Sequence, residues 1–590
     1  MSERSRLSRR DFIAAAGVGA GVLGVGLGSS RAVASSSGQS FDQEYDVVVV
    51  GSGGAGATAA LIANREGASV AIVEKAPIFG GTTIKSGGVY WIPNNPLMRE
   101  QGLSDPKEDA LKYMVRCSYP TLYHPDLPRY GISQAQFDLI AAFYDNASPA
   151  LEALHGMGAL ESVIWMGFDG QPFPDYYAHL PENKAPRGRG LVPKAMDPNR
   201  ALNIGGGGMG FDLIGRLQAA VKERNIPVLL QHTVQTVFQN AQGQVVGVQA
   251  VNRGQTVNIR AKKAVIFGSG GFTQNPELRL NFLRGPVFGG CAVPSNQGDL
   301  VRIATEIGSP LGNMNNAWWA QVTLEEALAN SSTPNDVFAV PGDSMILVNK
   351  YGQRVVDEKM DYNERTQVHF QWDPSRGEYK NLLLFMIYDQ RSNDLFAGQG
   401  EGVEAMLGYP IPPKGSTAPY VIEGADLAEL ASKIDARLAE VAEKTGSFRL
   451  DESFGENLPK TVATFNEYAQ AGADPEFHRG ETPIGLAYHG PARQNDLKNP
   501  TMYPIADQGP YYAVILAGGT LDTKGGPRVN TKAQLVDVKG NPIPGIYGAG
   551  NCVASAAGQA YWAGGGTIGP AMVFGYVAAL EAVKEAEKAI

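Results

Sequence analysis

"YDVVVVGSGGAGATAALIANREGASVAIVEKA", residues 45–76, decides the fold class. The four valines at 47–50 form an unbroken β-branched run, as a parallel strand buried on both faces requires. Gly51, Gly53 and Gly56 then complete G-x-G-x-x-G, residues 57–66 read as a helix stopped by Gly67, and residues 69–73 read as a second strand ending at Glu74. Gly51 permits the tight turn, Gly53 lets a pyrophosphate approach the backbone, and Gly56 lets helix and strand pack closely. Gly54 and Ala55 belong to the same binding turn, whose helix N-terminus offers free N–H groups and a positive dipole end. Glu74, followed by Lys75, is placed to accept hydrogen bonds from a ribose. The expectation is an α/β protein with a Rossmann-type dinucleotide-binding domain, and this stretch alone leaves NAD and FAD open.

A chain of 590 residues has room for more than one domain. The formal net charge of -9 argues against a nucleic-acid partner, because no basic excess offsets phosphate repulsion. At the N-terminus, Arg9 and Arg10 follow a serine and precede Phe12, a glycine-rich, weakly apolar stretch, Arg31 and the small residues 32–34. This pattern predicts a twin-arginine signal over 1–34 and a periplasmic or secreted protein, exported already folded around its cofactor. No other segment is long and apolar enough to span a bilayer, so no transmembrane anchor is expected after signal removal. Cys117, Cys291 and Cys552 are far apart and odd in number, which predicts buried thiols instead of a disulfide framework. The 7 histidines are scattered and predict no metal site.

The segment after the acid narrows the cofactor. Gly80, Gly81, Thr82 and Thr83, then Ser86, Gly87 and Gly88, present backbone N–H groups and hydroxyls where a ribityl chain and flavin ring would lie. Here the chain resembles the fumarate reductase and 3-ketosteroid dehydrogenase group of flavoproteins, which implies FAD. Two further stretches agree with the resemblance. Residues 264–275 form an apolar strand ending in Gly268, Gly270 and Gly271, and residues 545–555 form a strand and a turn containing Gly550 and Asn551. The resemblance therefore implies an FAD-binding domain assembled from both ends of the chain, 42–321 and 523–590, around an inserted α+β substrate domain, 322–522. Within the insert, residues 426–446 show apolar spacing at Leu427, Leu430, Ile434, Leu438 and Val441, predicting an amphipathic helix. No histidine precedes residue 124 to tether the flavin, so the FAD is expected to be non-covalent.

The two branches of that group differ at one segment. Fumarate reductase-like enzymes need fixed positive charge for a dicarboxylate. The corresponding residues here, 521–524, place Asp522 where a carboxylate would repel such a substrate. "GTLDTKGGPRVN", 519–530, is instead similar to a Thr-Lys-Gly-Gly segment of 3-ketosteroid Δ1-dehydrogenases, and "AYWAGGGTIGPAMVFGYVAAL", 560–580, resembles that family's C-terminal run. The latter includes Tyr561, Gly565, Thr567 and Ile568. "VVDEKMDYNER", 355–365, is similar to the segment with an acid four residues before the base tyrosine, here Glu358 and Tyr362. "PFPDYYAHLPE", 172–182, is similar to a loop bearing another active-site tyrosine, best matched by Tyr176 with Tyr177 as rival. Trp318 and Trp319 are expected to wall the pocket. Departures are Asp361, where the family has proline, and Trp562 and Ala563 after Tyr561.

The resemblance implies a chemistry that can be stated in full. Introducing a C1–C2 double bond beside a C3 ketone removes a C2 proton and passes a C1 hydride to flavin N5. The Tyr561 hydroxyl and the Gly565 N–H would form the oxyanion hole on the ketone oxygen, with glycine keeping a Cβ out of the ligand's way. Tyr362 would take the proton, assisted through hydrogen bonding by Tyr176. An external acceptor, a quinone or cytochrome, would then take the electrons. The neighbouring possibilities are a Δ4-(5α)-dehydrogenase and a periplasmic ene-reductase.

Overall fold

The computed structural model describes residues 34–35, 39–398 and 408–590. The signal expected over 1–34 lies, apart from Ala34, outside the described residues.

The valine run folds as strand β1 (Gln43–Val50), and its residues 47–49 are fully buried. Helix α1 (Gly54–Arg65) follows, then strand β2 (Val70–Val73), parallel to β1 with Val47 opposite Val70. The helix begins earlier than the expected residue 57, because the glycine turn itself supplies the first helical residues. Its face is built of alanines so that backbones can approach: a Cβ on Gly56 would lie 1.9 Å from the Gly51 carbonyl oxygen. On the other side of β1 lies the long strand β3 (Gln255–Phe267), with Phe267 opposite Val50. These strands belong to a nine-stranded sheet extended through the antiparallel strands Val245–Asn252 and His232–Gln239.

After β3 the chain enters a second, five-stranded antiparallel sheet centred on strand β4 (Tyr511–Thr523). One edge of β4 pairs with Leu383–Asp389, and the other with Val421–Gly424 and then Ala317–Thr323. Helix Leu427–Glu440, capped by the Asp426 side chain, buries Leu430, Ile434 and Leu438 beside this sheet, as its spacing predicts. The chain then returns to the first sheet. Strand β5 (Pro542–Gly548) pairs parallel with the end of β3, and helix α2 (Ile568–Ala582) packs on α1. Apolar nearly all round, α2 is held between α1 and helix Gln134–Gly156. A Cβ on its Gly575 would come within 2.5 Å of the Ala55 carbonyl oxygen, which fixes how closely the two helices cross.

A buried polar group makes the second sheet sensitive to acid. His369 is 1 % exposed, its Nδ1–H donating to the Leu382 carbonyl at 3.1 Å and its Nε2 facing the Gln321 amide at 2.9 Å. The Gln321 oxygen accepts from Arg365 Nε, which turns the amide nitrogen toward the ring and leaves no acceptor for an imidazolium. Burial therefore pulls the His369 pKa down to about 4 from the ordinary value. Protonation then favours the unfolded chain, so this contribution is complete above about pH 6.5 and is lost as pH falls toward 4. We expect thermal unfolding of the holoprotein to show about 3 kcal/mol of such loss between pH 7 and pH 4. His369→Gln should flatten that dependence relative to the parent. Parallel pH profiles for the two proteins would remove His369 as the cause.

Candidate active site

Two cavities meet where β1, β3, β4 and α2 converge. The first, a groove of about 850 Å³, runs over the carboxyl ends of β1 and β3 and the N-terminus of α1. Of the sequence-derived cofactor candidates, Gly51, Gly53, Gly54, Ala55, Glu74, Lys75, Gly81, Thr82, Thr83, Gly270, Gly550, Asn551, Thr567 and Ile568 line it. Gly56, Gly80, Gly88 and Gly271 do not: a Cβ on each would strike Gly51, Ile214, Met209 or Asp522 respectively, so these glycines serve packing. Ser86 and Gly87 line the second cavity only.

The groove suits a dinucleotide. A Cβ on Gly53 or Gly54 would meet no protein atom closer than 3.5 Å, so packing does not demand glycine there; the space belongs to the groove. At the same place is the N-terminus of α1, whose first N–H, that of Gly54, donates to Thr83 Oγ1 at 3.1 Å and whose positive dipole end suits phosphates. Glu74 is buried, accepting from the Ser52 N–H at 2.9 Å and hydroxyl at 2.6 Å and from the Ala76 N–H at 2.7 Å. Both Ser52 bonds fall on Oε2, so the second lone pair of Oε1 is left to accept from a ribose. Lys75 is paired with Asp299 at 2.9 Å.

Asp522 closes the junction between groove and cavity. It is 1 % exposed, and one oxygen accepts from the Gly271 N–H, Asn296 Nδ2 and Asn551 Nδ2 at 2.9, 2.7 and 3.1 Å. The other accepts from Thr273 Oγ1 and its own neighbour's N–H, Thr523, at 3.0 and 2.9 Å. Burial raises its pKa, and these donors oppose the shift. The carboxylate is thus consumed in tying loops together.

The second cavity, of about 940 Å³, is within the usual size of a small-molecule site. Tyr176, Tyr362 and Tyr561 all line it, with ring centroids 5.2–5.7 Å apart. A fourth tyrosine, Tyr488, joins them and donates to the Tyr176 hydroxyl at 3.0 Å. All four are at most 6 % exposed, whereas on the same wall Lys85 is exposed and Asn335 half-buried, so the tyrosines form the floor and those two the rim. Burial pushes the phenols up, strongly for Tyr176, Tyr362 and Tyr488; the Tyr176 hydrogen bond works against this at Tyr362. Thr567 donates to the Tyr561 oxygen at 3.0 Å, leaving the Tyr561 proton free to donate into the cavity.

Local structure explains each placement. Asp361 accepts from the Glu364 N–H at 3.1 Å and caps the short helix Tyr362–Thr366, so the acid in place of proline starts the turn that presents Tyr362. Glu358 lies beneath, clasped by Arg354 at 2.8 Å and Arg479 at 3.2 Å; burial opposes ionisation, but the two arginines hold its carboxyl at about 2. Tyr177 turns away and donates to Glu364 at 2.6 Å. Trp562 stacks on Phe143 and meets Trp91 at a tilt, and its carbonyl accepts from Tyr113 Oη and the Tyr176 N–H.

Two expectations need correction. Neither Trp318 nor Trp319 lines the tyrosine cavity: Trp318 stands behind Tyr561 at 4.8 Å, and Trp319 packs on Phe370. Gly565 is required for a reason other than room for a ligand. Its φ is +87°, and a Cβ there would lie 2.7 Å from the Trp91 nitrogen, on the side of the strand Tyr90–Trp91, whose Trp91 N–H donates to the Gly565 carbonyl at 3.0 Å. Its own N–H faces no protein acceptor among the described residues. Sequence reasoning also missed Tyr488 and Lys85; the latter's ammonium donates to the Cys291 and Thr333 carbonyls, both at 2.9 Å. The three cysteines are free and buried.

Comparison with known proteins agrees with this geometry. A family described as FAD binding domain matches residues 46–568. The chain is 31% identical to the 3-oxosteroid 1-dehydrogenase of Mycolicibacterium smegmatis, over 91% of this chain and 97% of that protein. It is 30% identical to the 4-oxocyclohexanecarboxylate 2-dehydrogenase of Sinomonas cyclohexanicum, over 90% and 92% of the respective chains. The crystal structure of 3-ketosteroid delta1-dehydrogenase from Sterolibacterium denitrificans, in complex with 1,4-androstadiene-3,17-dione, superposes with a TM-score of 0.75. It has 26% identity to this chain and covers 92% of this chain and 99% of its own. With a groove that accepts a dinucleotide and a match over nearly its whole length, the chain belongs to the FAD-binding oxidoreductase family that includes the 3-oxosteroid 1-dehydrogenases.

Proposed function

We propose that the protein is an FAD-dependent 3-ketosteroid dehydrogenase that introduces a C1–C2 double bond. The supporting observation is the convergence of Tyr176, Tyr362 and Tyr561 with Gly565 on one cavity that opens on the FAD groove at Thr82, Thr83, Asn551, Thr567 and Ile568. In this reading the steroid enters past Lys85 and Asn335 with its ketone ring foremost. The C3 oxygen accepts from the Tyr561 hydroxyl and the Gly565 N–H, which stabilise the charge that grows there as the C2 proton leaves. Tyr362 takes that proton. Its burial makes the phenolate costly, and the hydrogen bonds running from Tyr488 through Tyr176 offset part of the cost. FAD, held non-covalently by Gly51, Gly53, Gly54, Ala55, Glu74 and the Thr82–Thr83 loop, supplies the acceptor for the C1 hydride.

An ene-reductase of the fumarate type fits less well. No arginine lines the cavity among the described residues, and Asp522 spends its charge on loops. We place the substrate-binding insert at 322–522, assign the electrons to an external quinone or cytochrome, and infer export by the twin-arginine route from the N-terminal sequence. No helix among the described residues is long and apolar enough to cross a membrane.

Anaerobic mixing of oxidised holoprotein with androst-4-ene-3,17-dione tests the reading directly. We expect flavin bleaching and a 1,4-diene product. A Δ4-dehydrogenase cannot act on this already unsaturated ring, so absence of bleaching overturns the Δ1 assignment. Tyr561→Phe should lower the bleaching rate about a hundredfold while FAD stays bound. Asp522→Ala should weaken FAD binding at least about tenfold, because it strands buried donors that cost roughly 1–3 kcal/mol each; flavin retention on dialysis measures it, and full retention contradicts the role given to Asp522.

A further inference from the structure

The loop that carries Tyr561 has little of its own to hold it. Residues 564–566 are glycines and residue 563 is alanine, so the stretch after the tyrosine contributes almost no side-chain packing. An oxyanion donor nevertheless has to stand within hydrogen-bond distance of one point, and small displacements are expensive in rate. Trp562 anchors the loop on one side through its stacking on Phe143 and its tilted contact with Trp91. On the other side is Lys524.

Lys524 is fully buried, and its ammonium donates to the carbonyls of Gln559 and Ala560 at 2.9 and 2.7 Å. These are the two residues immediately before Tyr561. The same nitrogen lies 4.3 Å from the centroid of the Trp318 ring, and the Trp318 ring meets Tyr561 edge-on at 4.8 Å. Trp318 is fixed in turn by its Nε1–H, which donates to Asn551 at 2.9 Å. The backbone of Lys524 grips the loop's start as well, its carbonyl accepting from the Ser555 N–H at 3.1 Å. No carboxylate stands within ion-pair distance of Lys524 among the described residues, and burial drives its pKa well below the ordinary lysine value. Such a group costs several kcal/mol to bury, where methionine would fill the same space. What the lysine adds is two N–H···O bonds and a charge-bearing head against an indole face.

We propose that Lys524 is a positioning residue for the carbonyl-binding hydroxyl of Tyr561, acting through the 559–560 carbonyls and the Trp318 ring. The proposal rests on the dehydrogenase reading for its kinetic consequence, but its structural half stands apart from that reading. In the FAD-loaded protein, Lys524→Met should accelerate amide hydrogen exchange about tenfold in peptides covering 555–567, leaving the β1 peptides unchanged. This holds whatever the substrate is. With androst-4-ene-3,17-dione, Lys524→Met should lower the limiting rate of flavin reduction about tenfold, with KM and FAD content within twofold of the parent. In a Tyr561→Phe background the same substitution should add nothing, because the group it positions is already gone.

Unchanged exchange at 555–567 overturns the proposal, and so does a multiplicative loss in the double variant, which would mark a general structural effect. If Lys524→Met does not fold, Lys524→Gln, whose amide can still donate to one carbonyl, takes its place, with an intermediate exchange rate expected and a parental rate overturning the idea. Parent protein that is not reduced by the steroid, combined with faster loop exchange in the variant, would indict the assigned reaction and leave the positioning role standing.

Discussion

One buried carboxylate holds the functional half of the molecule together. Asp522 sits near the end of β4 in the second sheet, yet its oxygens are shared among donors from the loop after β3, from Asn296 and from the turn after β5. Gly271 and Asn551 are far apart in the chain, and Gly270, Asn296 and Asn551 all line the cofactor groove. A single anion satisfied by donors of such separate origin specifies their relative position far more tightly than apolar contact does, because removing any one leaves a buried polar group unpaired. The groove's geometry and the cavity's geometry therefore share one origin.

The cavity floor follows a different logic. Four tyrosines packed edge to face provide hydroxyls on an otherwise apolar surface, which a polycyclic ketone needs: broad hydrophobic contact with hydrogen bonding confined to one end. Carboxylates or imidazoles in the same positions would carry charge into a dry site at greater cost. A protonated phenol carries no charge, and hydrogen bonds such as that from Tyr488 to Tyr176 offset part of the cost when a neighbouring phenol is ionised. The polar machinery that could disturb this arrangement, the Glu358 cluster with its arginines, is kept behind the short helix that presents Tyr362.

The cofactor half could be read from the sequence because its signals are local. β1, the glycine turn, α1 and β2 each obey a short-range rule, and the run from Tyr561 to Ile568 has a spacing that few other structures require. Tyr488 carries no such mark: it lies in a seven-residue helix far along the chain, and only the tertiary fold brings it to Tyr176. Asp522 was visible, but its meaning was not, since sequence shows a charge without its partners. Gly565 and Trp318 were singled out for the wrong physical reasons, because sequence spacing does not reveal which side of a residue faces the ligand. At Gly565 the crowded side is the strand Tyr90–Trp91.

The cofactor groove is lined at one extreme by Val50 and at the other by Ala571. Synthesis must therefore pass residue 571 before the seat for the dinucleotide exists. Loading is in this sense a proofreading event: only a chain made through α2 and correctly closed on itself offers a complete binding surface, and bound flavin becomes a report that Val50 and Ala571 have been brought to one groove.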